Sequence, residues 1–328
     1  GNKMLGPGKP CFVIAEAGSN HNGNLATAKK LVRVAAKKGA DAIKFQLFTG
    51  KGLSNDKDTQ EILEKFEFKR KWLSSLKKYA DSLGIIFLAT PFDEQALDDL
   101  ESIGVCAYKI SSGELTYLSF IRKIAKKGKP VILSVGIGSD KEIQTALDVI
   151  CSTGNRKVLL LHCIAAYPTK PVDVNLKRIS YLRKKFGFPV GFSDHTLGIH
   201  IPLAAVSLGV VAIEKHFTLD RKTSGPDHFF AIEPDELCEL ALKSKDIQEA
   251  LGAEQYDRLK AEKIGFALGR RSLFARKDIS KGQIISNDDV KIVRPNIGIQ
   301  PQELDKVVGK KARKKICESE PLTWQKLS

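Results

Sequence analysis

The chain has 328 residues, 53 Lys+Arg against 38 Asp+Glu for a formal charge of +15, and 42% hydrophobic and 28% charged positions. That length buries an ample core, suits one barrel-sized domain with a small appendage, and excludes a disulfide-stapled miniprotein. Apolar runs such as Val158-Leu159-Leu160-Leu161 are short, so none approaches the roughly 20 residues that cross a bilayer; the N-terminus reads as lacking a signal peptide, and Gly1-Asn2-Lys3 ahead of Met4 as a tag remnant or a trimmed native end.

Eight runs of apolar and β-branched residues are expected to be strands: Phe12 to Gly18, Ala42 to Phe48, Ile85 to Pro91, Ala107 to Ser112, Val131 to Gly136, Lys157 to Cys163, Val190 to His195 and Ala212 to Thr218. Between them lie stretches with helical spacing that end in glycine, as at Gly39, Gly84, Gly128 and Gly209, where helix C-caps favour that residue. Eight such units predict a (β/α)8 TIM barrel over residues 1–265, closed by a helix near Pro234 to Leu251. From Ser272 the texture changes to short strand-like runs and turns, with Arg294-Pro295-Asn296-Ile297-Gly298 as a tight loop, so 266–328 is expected to be a small, mostly β second domain. Its modest core predicts that it leans on the barrel or on a neighbouring subunit.

Six cysteines form no C-x-x-C pair and several sit in apolar runs like ordinary buried thiols, which points to a reducing, cytoplasmic setting. The positive charge is dispersed, as in Ala28-Lys29-Lys30 and Ala36-Lys37-Lys38. Nucleic-acid binding usually uses a clustered basic face, so dispersal favours solvated lysines and a phosphate-bearing substrate instead.

In a TIM barrel the active site lies at the C-terminal strand ends, where a polar residue needs a reason. Here nearly every strand supplies one: Glu16, Lys44 and Gln46, Thr90, Lys109, Ser134, His162, Ser193 and His195, Glu214 and His216, with Ser112 and Glu114 just beyond the fourth. Unpartnered buried charge costs several kcal/mol, so this recurrence argues for one shared polar site. Two lysines, a threonine and three serines suit a small phosphorylated anion. His195 and His216, on adjacent strands, could place two imidazole nitrogens on a divalent metal; the alternative is core histidines hydrogen-bonded to Asp194 or Glu214. Glu16 and Glu114 remain as carboxylates able to hold a hydroxyl or move a proton.

These residues stand in Ala15-Glu16, Asn20-His21-Asn22-Gly23, Ile43-Lys44-Phe45-Gln46, Ala89-Thr90-Pro91-Phe92, Tyr108-Lys109-Ile110-Ser111-Ser112-Gly113-Glu114, Ser193-Asp194-His195-Thr196, Glu214-Lys215-His216-Phe217 and Gly225-Pro226-Asp227-His228. The set resembles the sialic acid synthase family, including its pseudaminic and legionaminic acid relatives. Gly269-Arg270-Arg271-Ser272, Asp278-Ile279-Ser280-Lys281-Gly282 and Val293-Arg294-Pro295 resemble the antifreeze-like (SAF) domain that ends those enzymes. The resemblance implies condensation of phosphoenolpyruvate with the open-chain aldehyde of an N-acylated mannose-type sugar (an N-acyl hexosamine), giving a nine-carbon 2-keto acid and phosphate. It implies a divalent metal, Mn2+ first and Mg2+ or Co2+ as alternatives, held by His195 and His216. Lys44, Thr90, Lys109, Ser112, Ser134 and Ser193 would bind phosphoenolpyruvate. Glu114 would handle the proton of the attacking water, Glu16 and Gln46 would orient reactants, and Tyr167 and Asp227 would grip the sugar. It further implies a domain-swapped homodimer in which Arg294 of one subunit meets the sugar's acyl group in the other, with no nucleic acid or membrane partner.

Two departures bear on the acceptor sugar. Ile164-Ala165-Ala166 precedes Tyr167-Pro168 where the family often carries a polar residue, and Ser134-Val135-Gly136-Ile137 keeps a serine but lacks a neighbouring hydroxyl. Three rivals stay open on sequence alone: a Schiff-base aldolase using Lys109 or Lys215, a synthase for a phosphorylated sugar, and a non-catalytic basic binding protein.

Overall fold

The computed structural model describes residues 5–6, 8–253 and 258–328, so Gly1–Lys3 lie outside the described residues. The chain divides into two compact units, Gly1–Gly252 and Ala253–Ser328. The division falls at 252/253 rather than at 265/266. The helix Pro234–Leu251 ends at Gly252, whose φ of +58° suits glycine, and the short helix Lys263–Gly269 belongs to the second unit.

All eight expected strands form in the first unit: β1 (Phe12–Gly18), β2 (Ala42–Leu47), β3 (Ile86–Pro91), β4 (Tyr108–Ile110), β5 (Val131–Ser134), β6 (Val158–Cys163), β7 (Val190–Asp194) and β8 (Ala212–His216). They pair in parallel in the order β3-β2-β1-β8-β7-β6-β5-β4, with β3 and β4 side by side at the seam. This is a TIM-type barrel. Successive strand residues face opposite sides, so two cores result. Phe12, Ile14, Leu88, Ile132, Leu159 and Leu161 fill the barrel interior. Val13, Ile43, Phe45 and Ile213 face outward and pack with helix residues such as Leu31, Leu76 and Ile121. Those three are fully buried, and each contributes roughly 1.5–3 kcal/mol.

Local chemistry sets the helix limits. Asn24 caps helix Leu25–Lys37 by accepting from Ala26 N and Thr27 N, and Ser139 with Glu142 forms a capping box on helix Asp140–Cys151. Gly39, Gly84, Gly128 and Gly209 have φ of +86°, +70°, +71° and +79°, the left-handed turn out of a helix that glycine permits. No helix among the described residues is long and apolar enough to cross a membrane.

The second unit pairs β9 (Ser272–Ala275) with β10 (Val290–Val293) in antiparallel fashion, around a small core that includes Leu273, Ile279, Ile285, Ile316 and Leu322. Ser272 Oγ donates to Pro295 O at 2.9 Å and accepts from Ile297 N and Gly298 N at 3.0 Å each. One hydroxyl thus orders the loop that carries Arg294, whose own side chain is exposed.

Candidate active site

Inward-facing positions turn from apolar to polar toward the C-terminal strand ends. Phe12 and Ile14 are followed by Glu16, Ala42 by Lys44, Leu88 by Thr90, Ala107 by Lys109, Ile132 by Ser134, and Ala212 by Glu214. All six polar side chains are at most 5% exposed. An apolar cavity of about 430 Å³ at the opposite barrel end, lined by Phe12, Leu88, Ile132 and Leu159 among others, contains none of these polar groups.

The centre of the polar cluster is Lys44. Its Nζ lies 2.6 Å from Glu16 Oε2 and 3.6 Å from Glu214 Oε2, and donates to Thr90 Oγ1 at 3.2 Å. Gln46 Nε2 donates to Glu16 Oε1 at 3.0 Å, Ser193 Oγ donates to Glu214 Oε1 at 3.0 Å, and Lys109 Nζ lies 3.9 Å from the same oxygen. Two carboxylates therefore face two ammonium groups. Burial pushes the Glu16 carboxyl up to about 7 despite Lys44. Burial also opposes ionisation of Glu214, but Lys109 and Lys44 outweigh it and hold that carboxyl below its usual range. Lys109 is displaced downward by burial, whereas Lys44 is displaced upward because its two carboxylates overcome the same burial cost.

Beside this cluster, Ser112 Oγ lies 3.1 Å from Cys163 Sγ and accepts from Gly136 N at 2.9 Å. The Cys163 thiol, raised by burial, also touches Ser134. Glu114 ends the short turn Ser112–Glu114 and accepts from Ser111 Oγ; burial raises its carboxyl against the pull of Lys109.

The imidazoles form a third group. The His195 and His216 rings are 5.4 Å apart, Tyr167 lies 4.3 Å from His195, and Phe230 lies 4.9 Å from His216. His195 Nδ1 bonds to Ile164 O at 2.7 Å, which directs Nε2 away as the free ring nitrogen. His216 Nδ1 is buried without a hydrogen-bond partner, 3.6 Å from Asp227 Oδ2. Burial keeps both histidines neutral by lowering them, His216 strongly, and raises Asp227 to about 6. Gly18 makes room for this arrangement: its φ is +47°, and a Cβ there would meet Asp227 Oδ2 at 3.2 Å and Glu16 Oε1 at 3.3 Å.

The structure thus brings together Glu16, Lys44, Gln46, Thr90, Lys109, Ser112, Glu114, Ser134, Ser193, Tyr167, Asp227, His195 and His216 at one barrel end. Arg294 lies in the other unit. His162 is corrected: it shares the outward parity of Leu160, its Nε2 bonds to Val174 O at 2.7 Å and its ring stacks on Phe192. The alternative reading of the two histidines also fails, because Asp194 pairs with Lys215 and Glu214 with the lysines and Ser193. Lys215 faces away from the site in that buried pair. Sequence reasoning placed Glu214 in the strand-end polar set without giving it a role of its own, and passed over Cys163. Cys163 shares the inward parity of Leu159 and Leu161, so the same alternation could have marked it.

Among the described residues no group of three or more His, Cys, Asp or Glu side chains is arranged as a ready metal site. Two neutral imidazoles with a free nitrogen each still suit a divalent ion that completes its shell with water and substrate.

Residues 31–256 match the NeuB family and residues 270–328 the SAF domain. The chain is 42% identical to the N,N'-diacetyllegionaminic acid synthase of Campylobacter jejuni, over 95% of its own length and 98% of that protein. It is 35% identical to the N-acetylneuraminate-9-phosphate synthase of Homo sapiens, over 94% of this chain and 90% of that one. The N-acetylneuraminic acid synthetase of Leptospira borgpetersenii, crystallised with citrate, aligns with a TM-score of 0.77 at 38% identity, covering 80% of this chain and 93% of the other. The strand-end chemistry and these similarities agree: the chain belongs to the NeuB family and carries a C-terminal SAF domain.

Proposed function

We propose that the chain is a nonulosonic acid synthase that condenses phosphoenolpyruvate with the open-chain aldehyde of an N-acylated mannose-type aldose, using one water and releasing phosphate. The observation that carries this reading is the buried pair of lysines, Lys44 and Lys109, ringed by Thr90, Ser134, Ser193 and Ser112 and set beside two neutral imidazoles. The lysines neutralise the phosphate and carboxylate of phosphoenolpyruvate, and the hydroxyls fix its orientation. Displacing Glu16 and Glu214 from Lys44 leaves two carboxylates free to orient reactants as the anion enters.

His195 and His216 are the residues that would hold a divalent ion, with Mn2+ the first candidate and Mg2+ or Co2+ the others. When bound, such an ion supplies Lewis acidity toward an aldehyde oxygen. Carbon 3 of phosphoenolpyruvate forms the new bond to the aldehyde carbon, water adds at carbon 2, and the C–O bond to phosphate breaks. Glu114, a half-buried carboxylate within the field of Lys109, takes the proton of that water; Glu16, pushed up to about 7, is poised to exchange a proton at neutral pH. Tyr167 and Asp227 bracket the imidazoles where the sugar would stand, while Ala165 and Ala166 offer it no side-chain hydrogen bond.

The chain works as a homodimer in which the partner's small domain reaches over the barrel mouth and Arg294 meets the acyl group. Exposed apolar side chains on the barrel-mouth loops support a covered surface: Ile137 is 67%, Val172 85%, Leu197 52% and Phe229 54% exposed. Free thiols at all six cysteines support a reducing, cytoplasmic setting.

The test is phosphate release from phosphoenolpyruvate with N-acetylmannosamine, a diacetamido hexose and arabinose 5-phosphate, with mass spectrometry of the product. A nine-carbon 2-keto acid from an N-acylated sugar is expected. Preference for arabinose 5-phosphate would overturn the acceptor class, and borohydride trapping of a sugar on Lys109 without phosphate release would replace the reaction by an aldolase.

A further inference from the structure

A buried ion pair lies on the face of β7 and β8 opposite the site. Lys215 Nζ is 2.5 Å from Asp194 Oδ2, and both side chains are 0% exposed. The same ammonium donates to Thr196 O, while Asp194 accepts from Thr196 N through Oδ1 and from Thr196 Oγ1 through Oδ2, at 3.0 Å each. Asp194 immediately precedes His195, and Lys215 immediately precedes His216. Adjacent strand residues face opposite sides, so the pair is the reverse side of the two imidazoles.

The ladder between β7 and β8 ends with Asp194 opposite Lys215. His195 stands one residue beyond that last pairing, with its carbonyl accepting from Thr169 N. The Lys215 ammonium therefore carries the strand-to-strand connection past the end of the ladder, holding residues 194 and 196 on either side of His195. A buried ion pair is a poor way to gain stability, since well-packed apolar residues of similar volume often do as well or better. What it does supply is a fixed geometry between the segments that bear its two ends.

We infer that Asp194 and Lys215 are positioning residues that set the separation and aim of His195 and His216 for a shared divalent ion. This rests on the reading that the two histidines hold such an ion. Outer supports of metal-ligating histidines typically change affinity 10- to 100-fold when removed.

The experiment is calorimetric titration of Mn2+ into the metal-free full chain, for wild type, Asp194→Leu/Lys215→Met, Lys215→Arg and His216→Ala. Circular dichroism and thermal melts check that each is folded. The double variant is expected to melt near wild type yet bind Mn2+ roughly 10- to 100-fold more weakly, whereas Lys215→Arg, which keeps the pair, retains most of the affinity. Wild-type Mn2+ affinity in the folded double variant overturns the inference while leaving the metal reading intact. Absence of Mn2+ binding in wild type, or undiminished binding in His216→Ala, overturns the metal reading and the inference with it. Should the double variant not fold, Asp194→Asn takes its place, with the same weakening expected and unchanged affinity as the contrary result.

Discussion

The Lys44 ammonium lies 2.6 Å from the Glu16 carboxylate, and both groups are almost wholly buried. Lys109, equally buried, stands 3.9 Å from its nearest carboxylate oxygen, on Glu214. The two lysines therefore differ in what their loss exposes. Lys44→Met strands two buried carboxylates and is expected to destabilise the protein by about 3–5 kcal/mol. Lys109→Met removes a charge that burial already disfavours and should cost far less. Both should raise the KM for phosphoenolpyruvate, Lys109→Met by roughly 10- to 100-fold, the worth of one hydrogen bond to a charged group. Chemical melts and steady-state kinetics measure the two effects separately, and equal destabilisation by the two variants would refute this division.

Gly136 is tightly enclosed at the tip of β5. A Cβ there would lie 2.7 Å from Cys163 Sγ, 3.0 Å from Ser112 Oγ and 3.1 Å from Cys163 O. Gly136→Ala must push Ser112 away from the backbone N–H that it accepts from, and overpacking of this kind costs about 1–3 kcal/mol. The KM for phosphoenolpyruvate should rise roughly tenfold. Adding Cys163→Ala relieves the sulfur contact but not the carbonyl contact, so recovery should be partial. An unchanged KM in Gly136→Ala would show that Ser112 does not touch the substrate.

The barrel and most of the polar cluster at its strand ends were legible because strand alternation is strict: a residue two positions from Lys44 or His216 must share its side of the sheet. Legibility failed where that alternation was not applied. His162 was read as a strand-end polar group, although its neighbour Cys163 holds the inward position. The strands also end earlier than their apolar runs suggest. The ladder stops at Ile110 and at Asp194, so Ser112 and His195 are held by side-chain and loop contacts that no propensity encodes. Glu214 stayed without a role because its partners, Lys44, Lys109 and Ser193, come from three other strands. Arg294 lies in the second unit, and the role proposed for it, in the site of another subunit, is one about which periodicity within one chain says nothing.

A domain-swapped arrangement makes a quantitative prediction. If the barrel of one subunit works with Arg294 of its partner, a heterodimer of Arg294→Ala and His216→Ala subunits contains one site with every residue intact. Co-expression with distinct tags should then restore about a quarter of the wild-type activity, because half of randomly paired dimers are mixed and each has one working site. Activity equal to the mean of the two parent variants would place Arg294 in its own subunit's site or outside any site.

Asp227 gives the metal-free protein a pH-dependent stability. Burial raises its carboxyl from 3.8 to about 6, so the folded state keeps a proton that the unfolded chain has released. The stability associated with the neutral form is fully present below 3.8 and is lost as pH rises through about 6. The displacement corresponds to roughly 3 kcal/mol at most between those limits. Asp227→Asn keeps the shape without the titration, so its stability should fall less steeply between pH 4 and 6.5, and above pH 7 it should exceed that of wild type by about 1–3 kcal/mol. Urea melts in EDTA at pH 4.5, 5.5 and 7.5 measure this, and parallel curves for the two proteins would mean that Asp227 is ionised in the fold throughout.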